Sequence, residues 1–189
     1  MSRNNSIMVR LIRVACLLPV MTLAACSTYP PVRTVAQLDL ERFMGDWYVI
    51  ANIPTFIERR AHNAIESYEL VGSKQVATTF RFNQGSFDGP VKTYKPTGFV
   101  TDDTSNAIWR MQFVWPIKAD YRVIYLNGDY TQTVIGRSKR DYVWIMARTP
   151  TIPEEDYATI LDVIAGQGYD IQKIRPVPQH AAIPGKPQP

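Results

Sequence analysis

Histidine, cysteine and long apolar runs are all scarce in this chain. Of its 189 residues, two are His and two are Cys, and their spacing matches no metal-binding pattern. Thiol nucleophiles and metal-assisted hydrolysis are therefore poorly provided for. The most apolar stretch, Val14 to Ala25, covers twelve residues, short of the about 20 needed to cross a bilayer as a helix. The formal charge of +4 shrinks on inspection. Three arginines and no acids fall in residues 1–25, which leaves 18 basic against 17 acidic residues in 26–189. A near-neutral body without a basic cluster gives no support to nucleic-acid binding. No internal repeat is visible.

What is present begins with an address. Arg3, Arg10 and Arg13 precede the apolar stretch, which reads as a cleavable signal over residues 1–25. The stretch ends Leu23-Ala24-Ala25-Cys26, which resembles a bacterial lipobox. That resemblance implies that Cys26 is lipidated and becomes the first residue of the mature protein. An ordinary secretory signal with an incidental cysteine is the alternative. Ser27, where an Asp would signal inner-membrane retention, implies the outer membrane, facing the periplasm. Cys16 leaves with the signal, so the mature chain has no disulfide even in an oxidising compartment. The lipoprotein resemblance implies several acyl chains, and two or more anchor stably. Residues 26–37, with Pro30 and Pro31, read as a lipidated start and tether. Residues 177–189 read as a disordered proline-rich tail. Residues 38–176 suit one domain.

Within that domain, segments rich in Val, Ile, Tyr, Phe, Trp and Thr predict strands at 46–53, 64–70, 76–83, 91–100, 107–114, 120–127, 130–137 and 141–148. Turn chemistry separates several of them, including Gly72-Ser73 and Asn127-Gly128-Asp129. The class is all-β. Eight strands joined by short hairpins close into an up-and-down antiparallel barrel, because closure removes both sheet edges. A C-terminal helix follows: Thr151-Ile152-Pro153-Glu154 fits a capping box, and Tyr157, Ile160, Leu161 and Ile164 form one apolar stripe to pack outside the barrel. Gly166 or Gly168 ends it. Ile171–Ile174 predicts a returning ninth strand.

Three short motifs then stand in order: Gly45-Asp46-Trp47 at the domain start, Asp129-Tyr130 with Gly136, and a lone Arg148 after the last barrel strand. Together they resemble the motifs of the lipocalins, and Arg148-Thr149-Pro150 after Tyr142–Met146 is similar to the bacterial outer-membrane lipocalins of the apolipoprotein D branch. The resemblance implies that Arg148 packs across Trp47 at the closed end. It also implies that Asp129, Tyr130 and Gly136 bracket a turn near that end, which makes Gly45, Trp47 and these four residues structural.

The pocket should come from the inward parity of the strands. Candidate lining residues are Ala51, Tyr68, Phe80, Phe82, Trp109, Met111, Phe113, Tyr121, Val123, Tyr125, Tyr142 and Trp144, with Trp144 the strongest. These aromatics could instead simply fill the barrel. Glu66 shares parity with Tyr68, which would point a costly carboxylate into the cup. Either it meets a ligand head group or basic partner at a wet mouth, or a bulge turns it outward. Residues 54–62 are long for a hairpin and read as a lid. In it, Phe56 and Ile57 form a greasy flap beside Glu58, Arg59, Arg60 and His62, with Arg59 and Arg60 either attracting a phosphate or carboxylate or simply part of a solvated charge run.

The resemblance implies a membrane-anchored carrier of fatty acids or lysophospholipids, with no cofactor, no metal and no catalytic residues. A lipocalin-fold enzyme using Glu66 and a nearby Tyr, or an envelope adaptor with a collapsed barrel, are the rival classes. No His falls on an inward strand face, which gives haem little support. An exposed aromatic rim could pair two barrels as a homodimer.

Overall fold

The computed structural model describes residues 30–101 and 104–180. A one-turn helix, α1 (Leu40–Phe43), is capped by the Asp39 side chain, which accepts from the Arg42 N–H. Nine strands then run in sequence: β1 (Gly45–Ile53), β2 (Ala61–Val71), β3 (Gln75–Gln84), β4 (Val91–Tyr94), β5 (Thr97–Val100), β6 (Ile108–Val114), β7 (Ile117–Leu126), β8 (Gln132–Gly136) and β9 (Val143–Ala147). Helix α2 (Glu154–Gly166) and a two-residue strand, β10 (Arg175–Pro176), follow among the described residues. Neighbouring strands are antiparallel, and β1 pairs with both β2 and β9, which closes the barrel. β4 and β5 together make one of its eight staves.

Several local expectations shift. The strand expected over 91–100 breaks at Lys95-Pro96, because Pro has no N–H to give a ladder. Its halves pair with different ends of β3. The capping box does not form: Pro153 is extended at the N-cap without a side-chain bond, which places Glu154 at the first helical position rather than the third. Residues Ile171–Lys173 form a 3₁₀ turn, not a strand. The returning strand comes two residues later, as β10 beside Ala51 and Asn52 of β1.

Residues 30–37 and 177–180 pack against the body, which differs from a tether and a loose tail over those positions. Val32 is buried, the Val35 N–H donates to Val123 O, and Arg33 exchanges backbone bonds with the Gln167 side chain. At the other end, Val177 N–H donates to Ile50 O. Beside it, the Gln179 amide donates to Val49 O (2.8 Å) and Ala64 O (3.1 Å). Both carbonyls lie at bulges, where the registers of β1 and β2 slip. Bulged residues leave the ladder, and Gln179 supplies the donor that the neighbouring strand cannot. Residues 1–29 and 181–189, with the signal, Cys26 and the rest of the tail, lie outside the described residues.

Two apolar clusters hold the body. One fills the lower barrel and includes Trp47, Val49, Tyr68, Trp109 and Val123. The other lies between the barrel wall and α2, and includes Ala51, Ile124, Val134, Ile145, Ile160 and Ile164. The closed end is plugged by Arg148. Its guanidinium carbon sits 3.8 Å from the Trp47 ring centre. Its nitrogens donate to the carbonyls of Arg42, Phe43, Met44, Asp46 and Tyr130. Gly45 there has φ +93°, and a Cβ on it would lie 3.3 Å from Arg148 Nη1, so glycine suits both the backbone and the space. Tyr130 receives the Asp39 N–H on its hydroxyl and Arg42 over its ring. Asp129 is exposed in the adjoining turn.

Gly136 departs from its expected place. It pairs with Arg122 far along β8, next to Arg137 at the opposite, open end. A Cβ there would lie 2.4 Å from Tyr169 Oη. Close approach of Tyr169, whose hydroxyl bonds both the N–H and the carbonyl of Arg137, explains the glycine.

Candidate functional site: an apolar cup with two buried carboxyl groups

Above the packed floor the barrel is hollow. A cavity of about 470 Å³ opens between the loop at 54–60, the β4–β5 break, the β6–β7 hairpin and the β8–β9 turn. That volume lies within the usual range of small-molecule sites, about 300–1,000 Å³. Phe56, Glu66, Phe80, Met111, Phe113, Tyr121, Tyr142 and Trp144 all line it, and each was singled out from strand parity or from the lid.

Six candidates do not line the cavity. Ala51 and Tyr125 belong to the cluster beneath α2. Bulges between Val49 and Ala51, and between Val123 and Tyr125, reverse the alternation in β1 and β7. Asn52, rather than Ala51, faces the Glu58 carboxyl, and its buried side chain favours the charged form. Trp109 and Val123 are fully buried in the floor. Tyr68 lies there too, its hydroxyl bonded to that of Tyr121. Phe82 is covered by Phe80 and by Tyr94, whose ring stacks on it at 6.2 Å.

Glu66 does point inward, and it is 6% exposed. It pairs with Trp47 across β1 and β2 and with Phe80 across β3, so it sits just above the floor. Burial, and then the nearby Glu58, push its pKa up to about 8, against a smaller opposing effect of the Tyr68 hydroxyl. A carboxyl in such surroundings holds its proton near neutral pH. Tyr68 and Tyr121 are held neutral by burial and by the adjacent Glu66.

Glu58 is the functional residue that sequence reasoning missed, since it stands in the loop only as a neighbour of the greasy flap. It is 4% exposed. Its carboxylate accepts from the Thr55 N–H at 2.9 Å and from Trp144 Nε1 at 3.0 Å, and so ties the loop to the barrel wall. Burial raises its pKa, while these hydrogen bonds act the other way. The signal was available. Thr55-x-x-Glu58 is a capping-box spacing, in which the Glu reaches back to the first N–H. The same loop leaves Phe56 80% exposed at the rim.

The remaining wall includes Thr55, Ile57, Tyr94, Lys95, Pro96, Val114, Ala119, Asp120 and Arg137. Phe113 and Val114 both border the cup although they are neighbours, because β6 slips register between Met111 and Val114. Asp120 is stabilised in its charged form. Burial opposes that, but Ser138 and Arg122 hydrogen bonds outweigh it and hold the carboxyl below the usual range. Arg137 pairs with Asp141 at 3.1 Å and lies over Tyr142.

A family model described as a lipocalin-like domain matches residues 38–179. The chain belongs to the lipocalin family. Among curated relatives it is 30% identical to the outer membrane lipoprotein Blc of Citrobacter freundii, covering 84% of this chain and 90% of that one. It is 28% identical to temperature-induced lipocalin-1 of Arabidopsis thaliana (81% and 86% covered) and 27% identical to mouse apolipoprotein D (77% and 78%). Insecticyanin from the tobacco hornworm Manduca sexta shares the fold, with a TM-score of 0.62 at 17% identity over 78% of this chain and 84% of that one. Together these place this lipocalin with the Blc-type bacterial members.

Proposed function

We propose that this lipocalin is a membrane-anchored carrier that binds fatty acids or lysophospholipids in its cup, for transport or scavenging at the cell envelope. The observation that carries the reading is the cavity of about 470 Å³, mostly apolar and open above a packed floor. Each buried CH₂ contributes about 0.8 kcal/mol, so a fourteen-carbon tail contributes about 11 kcal/mol gross. Lost ligand freedom offsets several of those, which leaves roughly micromolar to sub-micromolar affinity. Such a carrier can also release. The ligand is returned intact, and no residue acts as a catalyst.

The anchor is the lipidated Cys26, in the outer membrane and facing the periplasm. Pro30 O accepts from Arg140, in the turn between β8 and β9 at the open end. An anchor four residues upstream therefore keeps the mouth close to the bilayer. The rim exposes Phe113, Val114, Trp115 and Ile117, which supports pairing of two barrels there. Sedimentation of Trp115→Ser beside the parent chain tests that pairing.

The carrier reading is tested by titrating a lysophospholipid against protein beginning at Thr28 while following Trp fluorescence. Quenching and co-purifying lipid are expected. Neither appearing would overturn the reading. Membrane fractionation of Cys26→Ser tests the anchor; the variant is expected in the soluble fraction.

A further inference from the structure

The cup holds two carboxyl groups that a purely greasy carrier has no use for. No ion pair among the described residues involves Glu58 or Glu66. The cations on the cavity wall are placed elsewhere: Arg137 is engaged with Asp141 and Tyr142, and Lys95 is exposed. Beside the two acids stand three aromatic rings of the wall. Tyr121 and Tyr142 each lie 6.2 Å from Trp144, and Trp144 is itself bonded to Glu58.

We propose that, within the carrier reading on which this rests, the cup prefers amphiphiles bearing a positively charged ammonium group, seated against Glu58 and Glu66 among the rings of Tyr121, Tyr142 and Trp144. Aromatic faces attract cations, more strongly where water is excluded. A buried acid pair lacking a cation supplies the complementary charge. A ligand carboxylate in the same place would meet two carboxyl groups and no cation in a low-dielectric space, where its charge is costly.

The groups facing Glu66 are Glu58 from the loop, Tyr68 from its own strand and Tyr121 from β7. Asp120, the other acid on the wall, is already neutralised by Arg122 at 3.0 Å. Entry of an ammonium favours the ionised form of Glu66, so the proton it holds near neutral pH leaves to solvent. The exchange balances: one cation enters the site and one proton leaves it.

The contacts described above lie within residues 30–180, so protein from Thr28 on serves for the test. Three probes with the same twelve-carbon tail, dodecylamine, dodecanol and dodecanoate, are titrated at pH 7.5 by Trp fluorescence. The amine is expected to bind about tenfold more tightly than the carboxylate, with the alcohol between them. In Glu66→Gln the ratio of dodecylamine to dodecanoate affinity should shrink to about threefold or less. Calorimetry in two buffers of different ionisation heat should show proton release on amine binding. Dodecanoate binding as tightly as dodecylamine, or an unchanged preference in Glu66→Gln, would overturn the inference while leaving the carrier reading intact. Failure of all three probes to bind would sink both.

Discussion

Arg148 lies with its guanidinium carbon 3.8 Å from the ring centre of Trp47, and its nitrogens reach five backbone carbonyls on two sides of the barrel floor. One planar side chain thus joins the end of β9 to α1, to the start of β1 and to the turn after β7. A lysine offers three donors around a point and no plane to stack.

Replacing Arg148 with Ala should therefore cost about 2–4 kcal/mol, from the lost stacking and from carbonyls left with fewer donors. Arg148→Lys should recover less than half of that. Urea unfolding of the three proteins measures it, and equal stability of the Lys and Arg forms would refute the stacking account.

Glu66 makes stability depend on pH with a definite sign. Its folded pKa is raised to about 8 from an ordinary value of 4.5, so between those values the folded chain holds a proton that the unfolded chain has lost. Stability falls wherever the native state binds more protons. The ligand-free protein should lose on the order of a few kcal/mol as pH rises from 5 to 8, then level off. Glu66→Gln should flatten that decline. Thermal melts across this range decide it, and a rise in stability with pH would contradict the assignment.

Trp144→Phe removes the indole donor that holds Glu58, and so loosens the loop at 54–60. Trypsin should then cut at Arg59 or Arg60 several-fold faster, with unfolding stability reduced by about 1–2 kcal/mol. A cleavage rate that matches the parent protein would show that the loop is held by something other than this bond.

Gln179→Ala leaves the carbonyls of Val49 and Ala64 without their donor. A loss of about 1–3 kcal/mol is expected, measured by chemical denaturation. The result separates a packed segment from a dispensable tail, since removing a residue from a loose tail would leave stability within about 0.5 kcal/mol.

Gly136→Ala brings a methyl group onto Tyr169 Oη and Ile124. About 1–3 kcal/mol of destabilisation is expected from overpacking. Tyr169→Phe in the same chain should relieve part of it, and strict additivity of the two changes in a double-mutant cycle would argue against their contact.

Residue types and their period were enough to determine the barrel, its external helix and most of one wall of the cup. Alternation is a local property: it reached Phe80, Tyr121 and Trp144 in stretches that keep their register, Met111 where β6 begins to slip, and Tyr142 just before β9 starts. It failed at Ala51 and Tyr125, where a bulge inserts one residue and reverses inside and outside. Nothing in the composition of β1 or β7 marks those slips. Tertiary structure alone also decided how deep each ring lies: Trp109 and Tyr68 share the inward face with the cavity residues but fall below its floor. The same holds for the two acids. Strand parity raised the choice for Glu66 without resolving it, and the Glu58 carboxylate, which accepts locally from the Thr55 N–H, is tied to the barrel wall by the indole N–H of Trp144, eighty-six residues away in the chain. Long-range partners of this kind follow from closure of the barrel, which no short stretch of sequence contains.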